Sequence, residues 1–260
     1  MIEEQVASFR VLGVKVHLTN IQEVLSVMDE WVKKRGLCNF VVATGMHGTI
    51  VAHKDPYFME ITEAAGLFIP DGYSLVATAK LRGLDVKGRI TGCDLMWAAC
   101  RHAEHMGYSV FFYGDTVVTL ESLADKLLDQ FPRLKIAGLH SPPFRPLTKE
   151  EDESEVDMIN NSGADIIWVG LGLPKQERWI YEHRERLNVP IAVGVGAAFK
   201  FLSGQVRRAP AWVGNNGFEW LWRLVVEPRR VWRRVLIDGP HFVVCMLKET
   251  LDSHCLRKTK

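Results

Sequence analysis

The chain has 260 residues, which is enough for one large α/β domain or for one domain with an appendage. Hydrophobic residues make up 47% and charged residues 24% of it, as is typical of a soluble globular protein. A formal net charge of +1 excludes the strong overall positive charge of many nucleic-acid-binding proteins, so we expect no nucleic-acid partner.

The cysteines and the hydropathy pattern indicate the cellular compartment in which we expect the protein. The five cysteines form no CxxC pair, and their odd number argues against a disulfide framework or a zinc site. We interpret them as reduced thiols, which are typical of cytosolic proteins. The first ten residues, MIEEQVASFR, lack the apolar run of a signal peptide, and no stretch of about 20 uninterrupted apolar residues predicts a membrane-spanning helix.

Strand and helix patterns alternate through the first half of the chain. Thr19 and Asn20 are the candidate N-caps of the first helix, since Gln or Glu follows each by three residues, and Gly107 closes the last one. In chain order the patterns predict a strand or hairpin in FRVLGVKVHLTN, a helix to about Lys34, a strand in NFVVATG, a helix in TIVAHKDPYFMEITEA, a buried strand and turn in GLFIPDG, and a helix in GCDLMWAACRHAEHMG.

The second half continues the alternation. Its patterns predict a strand in YSVFFYGD, a helix in TLESLADKLLDQFP, a strand in LKIAGLH, a proline-rich loop and helix from SPPFRPLTKEEDES, a strand and glycine turn in GADIIWVGLG, a helix to about Leu187, and a strand in PIAVGVG. This order is typical of an α/β fold with a mostly parallel, Rossmann-like sheet and helices on both faces. In such sheets ligands bind beyond the carboxyl ends of the strands, so polar residues that follow strands are the candidate site.

The chain changes character near residue 206. We predict an α/β catalytic domain over residues 1–205 and a helical, Trp/Arg-rich appendage over residues 206–260. Four of the eight tryptophans fall within the 21 residues from 212 to 232. Seven arginines lie between Arg207 and Arg234, with only two acids, Glu219 and Glu227.

The appendage has the pattern of an amphipathic, membrane-docking segment. Spacing of i, i+3, i+4 and i+7 places Phe218, Leu221, Trp222 and Val225 on one apolar helical face. Tryptophan and arginine on such helices suit an anionic membrane surface. The same apolar surface can instead face a second copy, which leaves a homo-oligomer open. The predicted membrane-facing residues are Trp220, Trp222, Arg223, Trp232, Arg233 and Arg234.

The arginines of the appendage have two functional interpretations that do not exclude each other. A solvated charged face is the simplest alternative, but the interleaved tryptophans argue against it. The arginines can hold lipid headgroups, or they can hold the diphosphate of a nucleotide donor. The candidates for diphosphate binding are Arg207, Arg208 and Arg230.

Asp71 follows the apolar strand LFIP and precedes Gly72. A carboxylate at the mouth of such a strand is partly desolvated, which raises its pKa toward that of a useful general base. A turn aspartate in the common tripeptide PDG is the alternative interpretation. The sequence therefore makes Asp71 a candidate catalytic base.

Further polar candidates lie in turns after strands or close to predicted helix starts. In ATGMHG, two glycines let a ligand approach the backbone, and the Thr44 hydroxyl or His47 can contact it. Arg89, just before a predicted helix, can hold a diphosphate. Lys175, Gln176 and Glu177 lie together at a predicted helix start, where free N–H groups bind anions. Each candidate has a structural alternative. Thr44 can belong to a strand-ending turn, Arg89 can be a surface arginine near a helix cap, and Gln176 can belong to an ordinary helix start.

Two other chemistries are poorly supported. GVGAAFKFLSG lacks the third glycine of a dinucleotide-binding fingerprint, so a nicotinamide-dependent oxidoreductase is disfavoured. His47 and His53 have no metal-like partners nearby in the sequence, so we predict no metal site. We expect no cofactor.

The candidate residues lie in stretches that together resemble the WecG/TagA/CpsF glycosyltransferase family. The resemblance covers roughly residues 10 to 240. The matching stretches, in the order of the family, are TGMHGTIVAHKDP, IPDG, GRITGCDL, FFYGD, VGLGLPKQERWI, GVGAAFKFLSG, RRAPAW and GFEWLWRLVVEPRRVWRR.

The resemblance implies metal-independent, inverting transfer of a sugar from a UDP-sugar to a polyprenyl-diphosphate-linked acceptor, in the synthesis of teichoic acid, common antigen or exopolysaccharide. It implies that Asp71 is the base and that Thr44, Arg89 and Gln176 line the active-site pocket. It also implies that the appendage docks on the membrane and closes over the site, which predicts a peripheral location on the inner face of the bacterial cytoplasmic membrane.

Two departures from the family pattern bear on the donor. The family often has T-x-N where this chain has Thr44-Gly45-Met46, and His47 is a candidate substitute for the missing amide. The family commonly has Asp where this chain has Lys200, at a position that contacts the donor. N-acetylmannosamine, glucose and an acidic sugar therefore all stay open. A non-catalytic peripheral protein that binds nucleotide-sugar or acidic lipid is the alternative function.

Overall fold

The computed structural model describes residues 6–210, 213–214 and 217–258, without the side chains of Arg230 and residues 251–258. The chain begins with an antiparallel hairpin of β1 (Ser8–Val11) and β2 (Val14–His17). The two residues between the strands both have positive φ, 51° at Leu12 and 87° at Gly13, as the right-handed twist of a tight hairpin requires. The predicted hairpin is confirmed.

The centre of the fold is a six-stranded sheet. Every neighbouring pair of its strands is parallel, and the spatial order is β4-β3-β8-β7-β5-β6. All carboxyl ends therefore meet at one edge, and the predicted α/β fold with a mostly parallel sheet is confirmed. The strands are β3 (Asn39–Thr44), β4 (Leu67–Pro70), β5 (Ser109–Gly114), β6 (Lys135–His140), β7 (Ile166–Gly170) and β8 (Ile191–Gly194).

Helices cover both faces of the sheet, and each face has its own apolar cluster. One cluster joins the sheet to α1, α5, α6 and α9, and the other joins it to α2, α3, α7, α8 and the hairpin. The bounds are α1 (Ile21–Lys34), α2 (Met46–Lys54), α3 (Pro56–Ala64), α4 (Tyr73–Leu81), α5 (Gly92–Met106), α6 (Val117–Gln130), α7 (Lys149–Asn161), α8 (Lys175–His183) and α9 (Ala198–Leu202).

The structure corrects the sequence-based elements at four places. The single helix predicted over residues 49–64 is two helices, because Asp55 leaves the helical region with φ −121° and caps the next helix through its carboxylate. Pro56 is the first residue of that helix, where it loses no hydrogen bond. The helix predicted to run to Leu187 ends at His183, and the helices Tyr73–Leu81 and Ala198–Leu202 were not predicted.

The C-terminal segment is helical, as predicted, and it contacts the α/β part. It contains α10 (Glu219–Val226), α11 (Pro228–Arg233), a π-helical turn (Arg234–Asp238) and α12 (Gly239–Lys258). Phe242 is buried and belongs to the apolar cluster that joins the sheet to α2, α3, α7, α8 and the hairpin. None of the helices in the described residues combines the length and the apolar character that crossing a bilayer needs. The domain boundary at residue 206 stays a prediction.

Candidate active site

The structure brings Asp71, Thr44 and Arg89 together where β3 and β4 end. The Asp71 N–H donates to the Thr44 carbonyl at 3.0 Å, which continues the strand pairing by one residue. The Ile90 N–H donates to the Pro70 carbonyl at 3.1 Å, which brings Arg89 to the same strand end. These backbone bonds explain why residues that are far apart in the sequence share one corner of the sheet edge.

Two glycines let the turns after β3 and β4 touch. A Cβ atom on Gly45 would lie 2.8 Å from the Gly72 Cα, and one on Gly72 would lie 2.9 Å from the Gly45 Cα. Real Cβ atoms do not approach backbone so closely, so any larger residue would push the turns apart. Close packing of the two turns therefore explains why a glycine follows both Thr44 and Asp71.

The Asp71 carboxyl is half-buried and its pKa is raised to about 7. Burial is the largest cause, because it disfavours the charged form, and the Glu219 carboxylate is the next. The cations Arg89 and Arg223 oppose the shift, while the Asp94 carboxylate adds to it. A carboxyl with this pKa is partly ionised near neutral pH, which suits a general base.

The C-terminal segment supplies charges to this corner. Arg89 donates to Glu219 at 2.8 Å, and this pair links the α/β part to the first residue of α10. Arg208 donates to both oxygens of Asp94, at 2.7 and 2.9 Å, and to the Thr91 hydroxyl at 3.1 Å. The two ion pairs therefore place two arginines, Arg89 and Arg208, and two carboxylates, Glu219 and Asp94, at the corner that contains Asp71.

His47 joins the same corner to the end of the π-helical turn. Its Nδ1 atom lies 2.7 Å from an Asp238 carboxylate oxygen. Burial lowers the pKa of His47 and the Arg234 charge lowers it further, while Asp238 opposes the shift. His47 therefore binds the C-terminal segment in this structure, and a contact with substrate stays a prediction.

Gln176 connects the two neighbouring turns after β7 and β8. Its buried Oε1 atom accepts hydrogen bonds from the Gly172 N–H at 3.1 Å and from the Gly196 N–H at 2.9 Å. Its Nε2 group donates to Glu177 at 2.8 Å. The amide therefore fixes two loops at the carboxyl edge, which gives it a structural role beside its predicted role in substrate binding.

Glu177 is a fully buried acid of this edge. It has no exposed surface, and within the described residues its Oε2 atom has no hydrogen-bond partner. Burial raises its pKa to about 7, against the hydrogen bond from Gln176. Its carboxyl is therefore partly protonated near neutral pH.

The two predicted lysines lie at other places along the edge. Lys175 is exposed, with its ammonium group 5.3 Å from the centre of the Phe144 ring in the loop after β6. The Lys200 ammonium group lies 3.8 Å from the Asp115 carboxylate, which follows β5. These two contacts lie outside the Asp71 corner, so the role of the lysines in donor binding stays a prediction.

Comparison with known proteins decides the family. The sequence model of the glycosyl transferase WecG/TagA/CpsF family matches residues 9–255, which include the sheet and the C-terminal helices. The chain belongs to the WecG/TagA/CpsF family. Its relatives include an N-acetylglucosaminyldiphosphoundecaprenol N-acetyl-beta-D-mannosaminyltransferase of Bacillus spizizenii, which is 32% identical over 80% of this chain and 79% of that protein. A Bacillus subtilis protein of the same name is 28% identical over 76% of this chain and 75% of that one.

The predicted membrane-facing residues of this family member divide into two groups. Trp220 and Trp232 are 49% and 41% exposed, and Arg233 is stacked on the Trp232 ring at 5.3 Å. Trp222 is half-buried and donates to the Arg207 carbonyl at 3.4 Å. Arg223 and Arg234 are half-buried as well, and their charges act on Asp71, His47 and Glu177. The Arg230 side chain lies outside the described residues.

Several residues of the site were not among the sequence-based candidates. Glu219, Asp94 and Asp238 pair with candidates that the sequence did identify. Glu219 had a signal, because it is one of two acids in an otherwise arginine-rich stretch. Asp94 had none, since a helix-start aspartate is ordinary by itself. Asp238, the last residue of the π-helical turn, had none either. Among the described residues, no cluster of His, Cys, Asp and Glu has an arrangement that could hold a metal ion.

Proposed function

We propose that this glycosyltransferase moves a sugar from a UDP-sugar to a polyprenyl-diphosphate-linked acceptor, with inversion and without a metal, in the synthesis of a cell-surface polysaccharide or teichoic acid. The names of both Bacillus relatives describe transfer of N-acetyl-β-mannosamine to a diphosphoundecaprenol-linked sugar. The observation that carries the proposal is the half-buried Asp71 carboxyl of pKa about 7, beside two arginines at the carboxyl edge of the sheet.

Asp71 is the general base of the proposed mechanism. The acceptor hydroxyl transfers its proton to the Asp71 carboxylate while its oxygen attacks the anomeric carbon from the face opposite UDP. Attack from that face inverts the configuration of the anomeric carbon. Such proton transfer contributes about 10²–10⁴-fold to a rate.

Cations stabilise the leaving group in this mechanism. UDP gains negative charge as the glycosidic bond breaks, and preorganised positive charges lower the energy of that transition state. Arg89 and Arg208 already lie at the corner, and we assign them, with Arg207 and Arg230, to the diphosphate. We assign the sugar and the nucleoside to Thr44, His47, Lys175, Gln176 and Lys200.

The proposed acceptor sets where the enzyme works. Its lipid stays in the bilayer, so the site must come to the inner face of the cytoplasmic membrane. The exposed Trp220 and Trp232 and the cation Arg233 support docking of the C-terminal segment on anionic lipid. A non-catalytic binding protein is the less favoured alternative, because both relatives bear the names of transferases.

The donor is the open part of the proposal. The activity named for the relatives makes N-acetylmannosamine the first sugar to test. Met46 and Lys200 depart from the family pattern at positions assigned to the donor, so glucose and an acidic sugar belong in the same panel. UDP release with a short-chain prenyl-diphosphate-sugar acceptor, followed by mass analysis of the product, identifies the donor that the enzyme uses.

Asp71→Asn is the variant that tests the mechanism. We expect turnover to fall by about 10²–10⁴-fold, because the amide cannot accept the proton, while UDP binding stays near the wild-type value. Asp85→Asn, which changes an exposed aspartate outside the corner, is the matched control and should keep full turnover. Near-wild-type turnover of Asp71→Asn would remove Asp71 from the role of base.

A further inference from the structure

The ion pair between Arg89 and Glu219 is a largely buried contact between two distant parts of the chain. The partners are 130 residues apart, and their side chains are only 17% and 23% exposed. The Arg89 guanidinium also lies against the backbone of Gly214, where a Cβ atom would be 3.4 Å from its Nη2. Arg89 is thus held in place by the C-terminal segment, and the Glu219 carboxylate supplies the charge that holds it.

The carboxylates of Glu219, Asp71 and Asp94 all interact with the Arg89 charge at this corner. Within the part of the chain that the structure describes, Glu219 and not Asp71 forms the ion pair with it. This choice matters because an opposite charge within about 4–6 Å lowers the pKa of a carboxyl by about 1–3 units. A guanidinium paired directly with Asp71 would make that carboxylate a weaker base.

The remaining groups that face Asp71 do not replace Glu219. Asp94 also raises the pKa of Asp71, but its charge is engaged by Arg208 and its effect is the smaller of the two. Burial raises the pKa of the Cys93 thiol to about 12, so Cys93 is neutral. Arg223 acts in the opposite direction, and it pairs with Glu227 at 3.7 Å. The like charge of Glu219 is the largest effect of any charge on Asp71.

We propose that Glu219 is a positioning residue that holds the Arg89 guanidinium away from Asp71, and so keeps Asp71 basic enough to accept the proton of the acceptor. Arg89 then stays oriented for the diphosphate without neutralising the base. Because Glu219 is the first residue of α10, the base reaches its full strength only when the C-terminal segment is seated. The proposal rests on the proposed function, since it assigns a role within that reaction.

Glu219→Gln tests the proposal through the pH dependence of kcat/KM. The amide has nearly the same shape and keeps an oxygen that accepts from Arg89, but it carries no charge. In the wild type we expect kcat/KM to fall as pH drops below about 7, because the base becomes protonated. We expect the acidic limb of the Glu219→Gln profile to lie about one pH unit lower, because the pKa of Asp71 is lower. We also expect a lower plateau above that limb, because a carboxylate of lower pKa is a weaker base. The wild-type and variant profiles should therefore cross.

The C-terminal segment offers a matched control for this variant. Glu249 pairs with Arg82 at 2.7 Å, so it also joins the C-terminal segment to the α/β part through a glutamate and an arginine. We expect Glu249→Gln to keep the wild-type limb. A Glu219→Gln profile that is lower at every pH, with its limb unmoved, would show that Glu219 only stabilises the structure and would overturn the proposal.

A second readout needs no turnover and separates the two proposals. In protein labelled with ¹³C at the aspartate carboxyls, the resonance missing from Asp71→Asn identifies Asp71, and its titration gives the pKa directly. We expect Glu219→Gln to lower this pKa by about one unit, and Glu219→Asp, which keeps the charge, to leave it near the wild-type value. An unchanged pKa in Glu219→Gln would end the inference, whereas absence of sugar transfer by wild-type enzyme would end the proposed function.

Discussion

Asp71 and Glu177 are two acids of the same sheet edge whose pKa values are both raised to about 7. Burial is the main cause for each, but their surroundings differ. Asp71 is half-buried among four charged groups, which suits a group that exchanges protons with a substrate. Glu177 is fully buried and accepts a hydrogen bond from the neutral Gln176 amide, so its raised pKa affects stability more directly than catalysis.

Glu177 predicts a specific dependence of stability on pH. The pKa of its carboxyl rises from 4.5 in the unfolded chain to about 7 in the folded protein. The folded state therefore keeps a proton that the unfolded state releases, and this contribution is complete below pH 4.5 and lost as pH rises to about 7. The full loss is at most about 3 kcal/mol.

Glu177→Gln removes this titration, because the amide resembles the protonated acid. Urea denaturation at pH 5 and pH 8 should show a smaller fall in the free energy of unfolding for the variant than for the wild type. Glu182→Gln, which changes an exposed glutamate of the same helix, should leave the fall unchanged. Equal falls in wild type and Glu177→Gln would mean that the Glu177 carboxyl is ionised in the folded protein.

At the scale of elements, the sequence predicted the strands and most helices because local signals define them. Asn20 and Gly107 cap helices where the pattern placed them. The break at Asp55–Pro56 was missed because the apolar pattern continues across it, although a proline disfavours the helical conformation of the residue before it. Contacts such as Arg89–Glu219 join residues 130 positions apart, and no local pattern reports them.

The contact between the turns after β3 and β4 gives a prediction about geometry. A Cβ atom on Gly72 would lie 2.9 Å from the Gly45 Cα, so Gly72→Ala must push apart the turns that carry Thr44 and Asp71. We expect a loss of about 1–3 kcal/mol in the free energy of unfolding and a fall in kcat/KM of about 10²-fold, because a shift of about 1 Å misaligns the base.

The chain offers a glycine control for this effect. Nothing lies within 4 Å of a Cβ atom on Gly36, so Gly36→Ala should keep the wild-type activity. Stability and steady-state kinetics of the two variants, measured side by side, separate local crowding from the general effect of replacing glycine. Full activity of Gly72→Ala would contradict the idea that the two turns set the position of Asp71.

At the scale of the whole molecule, the C-terminal segment combines a packed inner side with an exposed apolar side. Val231 and Phe242 are buried, and Arg89, His47 and Asp94 pair with residues of the segment. Its large exposed apolar residues are Phe218, Trp220, Leu221, Val225, Val226, Trp232, Leu236, Ile237, Val243, Val244 and Leu247. Exposed apolar area of this extent marks an interaction surface, and the neighbouring Arg233 favours a binding partner with negative charge.

Membrane docking should therefore depend on the exposed tryptophans rather than on the half-buried Arg223 and Arg234. We expect the double variant Trp220→Ser, Trp232→Ser to lose sedimentation with phosphatidylglycerol vesicles, since each indole contributes about 1.5–3 kcal/mol when it leaves water. UDP release with a water-soluble short-chain acceptor should stay near wild type, because the groups that set the charge around Asp71 are Glu219, Arg89, Arg223 and Asp94 and not the two tryptophans. Trp97→Ser, at a 36% exposed tryptophan of α5, is the matched control. If the double variant still sediments with the vesicles, these tryptophans do not carry the docking, and the exposed apolar surface of the segment is free to bind a second copy of the chain instead.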